Sequence, residues 1–84
     1  MRYNTLEEGP EMFYKLLDII STHTGKSVED ITPDLRFDRY LSDVDFAEMV
    51  IDIESELGIE IAEDALMQIQ TVKDLWAYIK QAEQ

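Results

Sequence analysis

Apolar residues recur along the chain at helical rather than alternating spacing. Phe13, Leu16, Leu17 and Ile20 share one face of a 3.6-residue repeat. Ahead of them stands Pro10-Glu11, a pair suited to a first turn: proline lacks an N–H that would be orphaned there, and glutamate complements the positive helix end. The spacing predicts a first helix from about residue 10, with residues 1–9 as a loosely ordered tail. Gly25 supplies the backbone freedom to stop it. From Lys26 to Leu41 the periodicity lapses, and Pro33 with scattered Asp, Ser and Thr reads as a long connection anchored by Val28, Ile31, Leu35 and Phe37. A connection of that length is unusual in a compact domain and often carries function.

Phe46, Met49, Val50, Ile53 and Leu57 restore the stripe, while Asp45, Glu48, Asp52 and Glu56 fall off it. A second, amphipathic helix follows, apolar inside and acidic outside, ended by Gly58. Ile59-Glu60-Ile61 is a short link, and Glu63 to Ile69 allows a third helix of about two turns. Thr71-Val72-Lys73-Asp74 has the form of a capping box with Asp in place of Glu. Behind it Val72, Leu75, Trp76 and Ile79 predict a fourth helix to about Gln81. The expected class is all-α, one domain over residues 10–82.

Composition narrows what such a domain does. At 84 residues and 45% hydrophobic content, one core closes, but not the two lobes of a walled active site. There is no cysteine, which removes disulfides, thiolate metal sites and a cysteine nucleophile. No stretch approaches the roughly 18 apolar residues of a membrane span, and the N-terminus lacks a signal-like apolar run. A monomer in a cytoplasmic setting is expected. Nineteen acids against seven Lys and Arg give a net charge of −12, which disfavours nucleic acid and anionic membrane and points to a basic protein surface as counterpart. The charge is concentrated: between Tyr40 and Val72 there is no Lys, Arg or His but nine acids.

Several separated segments together resemble the acyl carrier protein family of phosphopantetheine-binding carrier domains. Glu48-Met-Val-Ile-Asp-Ile-Glu-Ser-Glu-Leu-Gly-Ile-Glu-Ile61 is similar to the family's second helix and its exit. Ile69-Gln70-Thr71-Val72-Lys73-Asp74 resembles the entry to its last helix, and Ile19-Ile20, Gly25 and Val28-Glu29-Asp30-Ile31 the end of the first helix and the start of the loop. The resemblance covers residues 12–80. It implies a four-helix bundle of three long helices with a short one before the last. It further implies a non-enzymatic role: holding acyl, aminoacyl or polyketide intermediates as thioesters on a 4′-phosphopantetheine arm, in fatty acid, polyketide or related metabolism. Partner enzymes with basic patches, and a phosphopantetheinyl transferase, are then expected to meet the acids of helix two, here Asp45, Glu48, Asp52, Glu54 and Glu56.

At the attachment motif this chain departs from the family. Where the family has D-S-L-D, the sequence reads Ser42-Asp43-Val44-Asp45, so that counting back from Glu48 sets Asp43 in the serine position. Tyr40 also replaces a customary glycine. Ser42 is a candidate attachment residue if the helix start shifts by one, a change of about 100° and 1.5 Å. It is also a candidate helix cap, the preferred reading, accepting from the Asp45 N–H with Leu41 stapled onto Phe46. Asp43 in a first turn gains about 0.3–1 kcal/mol from the helix dipole without any chemistry. The resulting alternative is an interaction or regulatory module that keeps the acidic face and lacks the arm.

Other sites are weaker. Asp43, Asp45 and Glu54 match three positions of a calcium loop, but Glu48 stands where that loop needs its turn glycine and the helical stripe runs straight through. His23, the single histidine, has no second soft ligand and reads as a polar residue near the end of helix one. Paired-carboxylate catalysis requires a cleft that separates two pKa values, whereas these acids suit a solvated face. Met49, Met67, Phe46 and Trp76 have an acyl tunnel as one reading and ordinary core packing as the other.

Overall fold

A computed structural model describes residues 3–82, with side chains described for residues 11–82. Four α-helices follow in order: α1 Tyr3–Thr24, α2 Asp43–Leu57, α3 Glu63–Leu66 and α4 Val72–Ala82. Two short 3-10 turns, Val28–Asp30 and Phe37–Arg39, interrupt the long connection after α1. Among the described residues there is no strand, only an isolated antiparallel bridge between Arg36 and Thr71. The fold is the all-α bundle of three longer helices and one short one.

The predicted stripes form the core. Leu16 and Ile20 of α1, Met49 and Ile53 of α2, and Leu75 and Ile79 of α4 are each less than 2% exposed, a burial of about 1.5–3 kcal/mol per side chain. Trp76, half-buried, meets Phe13 edge-on with ring centroids 4.9 Å apart. Gly58 closes α2 in the left-handed conformation at φ 69°, its N–H returning to the Glu54 carbonyl. At the head of α4 the capping box is present: the Thr71 oxygen accepts from the Asp74 N–H at 3.1 Å and the Asp74 carboxylate accepts from the Thr71 N–H at 3.2 Å. The N–H of Gln70 also donates to Asp74, at 3.1 Å. These backbone donors, that of Gln70 foremost, hold the Asp74 carboxyl below its usual range.

The structure corrects four expectations. First, α1 begins at Tyr3 instead of near residue 10; of the expected tail, residues 1 and 2 lie outside the described residues and the rest is helix. Pro10 removes one helical hydrogen bond, while Leu6-Glu7-Glu8 before it are strong helix formers that let the helix continue. Second, α3 is a single turn. Its exit tightens through i to i+3 bonds, Gln68 N–H to Ala65 and Ile69 N–H to Leu66, and no side chain caps its start. Third, Met67 is not a core residue: it is 81% exposed, because α3 turns Ala65, Leu66 and Ile69 inward. Fourth, Val28 does not anchor the connection; it lies on the outside of a 3-10 turn, exposed.

The long connection is nonetheless well held. Leu35, Phe37 and Leu41 are buried, and its backbone is tied to the approach to α4 by Phe37 N–H to Gln70 O, Val72 N–H to Leu35 O and Lys73 N–H to Pro33 O. The start of α2 is thereby fixed from both sides.

Candidate functional site: the start and outer face of α2

Three bonds set the first turn of α2. Leu41 N–H reaches back to the Phe37 carbonyl at 2.9 Å, and Phe46 N–H donates to the Ser42 carbonyl at 2.8 Å. Ser42, in extended conformation at φ −72° and ψ 171°, is the N-cap, its side-chain oxygen accepting from the Asp45 N–H at 3.1 Å. Asp43 is the first residue of the helix and is exposed. Leu41 is buried, and Phe46 is half-buried with its ring 5.5 Å from that of Phe37. Beside this turn opens a recess of about 220 Å³, walled by Phe37, Leu41, Phe46 and Ile69 and lined also by Ser42 and Asp43.

Along the helix, Asp45, Glu48, Asp52 and Glu56 are exposed and follow one another at i+3 and i+4, a continuous ridge. Asp52 has a second engagement. The His23 ring donates from Nε2 to its carboxylate at 2.8 Å, fastening the end of α1 to the middle of α2. The sequence holds no local signal for this contact, since the two residues are 29 positions apart.

Glu54 stands apart from the ridge. Two positions beyond Asp52 is a rotation of about 200°, and there Glu54 is half-buried with its carboxylate accepting the Ile61 N–H at 2.7 Å. It secures the link into α3, which Tyr78 holds from α4 through its hydroxyl, donating to the Glu60 carbonyl at 3.3 Å. Two apolar residues join the outer face instead: Val44, 66% exposed, and Ile51, 61% exposed. Neither belongs to the buried stripe of α2, and that absence is the sequence signal for their exposure.

Chemically the face offers charge and a little apolar surface. Among the described residues no charged or polar side chain is buried, and no group of three or more His, Asp or Glu is placed to hold a metal. The three acids of the calcium-loop match lie on one unbroken helix, Asp43–Leu57, which has no loop to wrap an ion. No helix among the described residues is long and apolar enough to cross a membrane.

Comparison with known proteins agrees with this architecture. A family model described as "Phosphopantetheine attachment site" matches residues 15–79. An acyl carrier protein of Lactobacillus johnsonii is 39% identical over 72 residues, 83% of this chain and 90% of that one. Acyl carrier proteins of Nitratidesulfovibrio vulgaris and Rickettsia bellii are 37% identical over 68 residues and 33% over 69, covering 79% and 80% of this chain and 90% and 85% of theirs. The chain belongs to the acyl carrier protein family of phosphopantetheine-binding domains, whose role is carriage rather than catalysis.

The family implies 4′-phosphopantetheine as prosthetic group, and the residues at the start of α2 do not fit it. A phosphodiester arm requires a hydroxyl, and the first residue of the helix offers the carboxylate of Asp43. The neighbouring hydroxyl, on Ser42, sits one residue before the helix, where its oxygen accepts the Asp45 N–H as the cap.

Proposed function

We propose that this protein acts by being recognised: the outer face of α2 presents it to basic-surfaced enzymes that handle acyl or other thioester-linked groups. The observation that carries this reading is the ridge of Asp45, Glu48, Asp52 and Glu56, exposed along one side of a helix in a chain of net charge −12. Charge of this kind steers encounter and orients the partner while adding modest affinity, so contacts form quickly and release quickly. Val44 and Ile51, exposed beside the acids, supply the apolar contact once charge has brought the surfaces together.

Two forms of this function differ at the helix start. As a loaded carrier, the protein holds acyl, aminoacyl or polyketide intermediates through an arm on Ser42, within fatty acid, polyketide or related metabolism. As an unloaded interaction or regulatory module, it occupies the same enzymes without cargo. The presence of Asp43 at the head of α2 and the use of Ser42 as its cap favour the second.

Titrating the chain against an acyltransferase from the same organism that acts on carrier-bound groups tests the docking reading. Raising salt from 0.1 to 1 M shortens the screening length from about 10 to about 3 Å, and binding is expected to weaken severalfold. Affinity independent of salt overturns the reading.

A further inference from the structure

We propose that this chain is not loaded at all, and that the carboxylate at position 43 is the group responsible, in an attachment site whose other departure from the family is Tyr40 in place of a glycine. The start of α2 keeps its parts: a side-chain cap at 42, an aspartate at 45, an exposed apolar residue at 44, and buried Leu41 locking the turn. A recess of about 220 Å³, of mixed polar and apolar lining, still opens beside Ser42 and Asp43. What is missing is a hydroxyl on the first helical residue.

Loading joins a hydroxyl oxygen to the phosphorus of coenzyme A; the pyrophosphate P–O bond breaks, 3′,5′-ADP leaves and the hydroxyl proton is released. On Asp43 the same transfer forms an acyl phosphate, a mixed anhydride that water cleaves, in place of a stable phosphodiester. Ser42 does not repair the defect. Its oxygen accepts the Asp45 N–H, and its rotation about the helix axis differs by about 100° from that of position 43, so its hydroxyl is presented in another direction.

The exchange is therefore reversible by substitution. Ser42→Asp together with Asp43→Ser restores the family order, and aspartate caps a helix as well as serine does, so the fold is preserved. Incubation with coenzyme A and a broad-specificity phosphopantetheinyl transferase, followed by intact-mass measurement, compares the natural chain, Ser42→Ala, Asp43→Ser and the double variant, with a typical acyl carrier protein as loading control. The natural chain is expected to gain nothing, while Asp43→Ser and the double variant each gain one phosphopantetheinyl group. Two results overturn the inference: a mass gain on the natural chain that Ser42→Ala abolishes, or no gain on a double variant whose circular dichroism matches the natural chain. The inference deepens the unloaded form of the proposed function, yet its test is separate. Loss of salt-sensitive docking leaves the mass result standing, and the reverse holds equally.

Discussion

Removing the hydroxyl of Ser42 should cost stability, because that oxygen satisfies one of the orphan donors at the head of α2. The bond is a single 3.1 Å contact to the Asp45 N–H on an exposed turn. Replacing a capping serine by alanine costs about 0.5–2 kcal/mol, typically about 1. For a domain of this size, 1 kcal/mol lowers the melting temperature by about 4–8 °C. Thermal unfolding followed by circular dichroism at 222 nm reads this directly, and Ser42→Asp serves as comparison because aspartate makes the same cap and favours the helix dipole. The expected order is natural chain about equal to Ser42→Asp, with Ser42→Ala several degrees lower. Equal melting of Ser42→Ala and the natural chain, or a marked loss in Ser42→Asp, refutes the capping role and with it one of the grounds for excluding this oxygen from attachment.

Three further outcomes follow from the bundle. The Asp74 carboxyl is held below its ordinary 3.8 by the N–H groups of Gln70 and Thr71; its stabilisation is full above 3.8 and lost as pH falls through the lower folded value, so Asp74→Asn should flatten the acid limb of a stability-against-pH curve. Gly58→Ala, at φ 69° with open space around the added Cβ, should cost about 1–2 kcal/mol through backbone strain alone, measured by urea denaturation, with Gly58→Asn milder. Ile53→Ala, in the fully buried stripe of α2, should cost about 2–5 kcal/mol in the same assay; a loss under 1 kcal/mol contradicts the packing described.

Elements set by local chemistry were readable in advance. The α2 and α4 stripes, the glycine stops and the Thr71-Asp74 box each depend on residues within a turn or two of one another, which periodicity and capping rules capture. Features decided by distant packing were not. Pro10 has the same composition signal whether it opens a helix or sits within one, and the length of α3 depends on how tightly its exit turns. Met67 and Val28 are apolar, so pattern alone sends them inward, yet a one-turn helix and a 3-10 turn leave them outside. At the candidate site, the exposed ridge was legible because charge off an apolar stripe faces water. The diversion of Glu54 to the Ile61 N–H and the hold of His23 on Asp52 arise from chain segments brought together only by folding. The exchange of serine and aspartate at 42–43 was legible as sequence, and the cap geometry gives it physical content.

Charge reversal on the ridge tests docking most directly. With Glu48→Lys and Glu56→Lys combined, both beyond the first turn of α2, association with a carrier-dependent acyltransferase at low salt should slow at least tenfold while dissociation and the melting temperature change little. A double variant that binds as fast as the natural chain contradicts recognition through the outer face of α2.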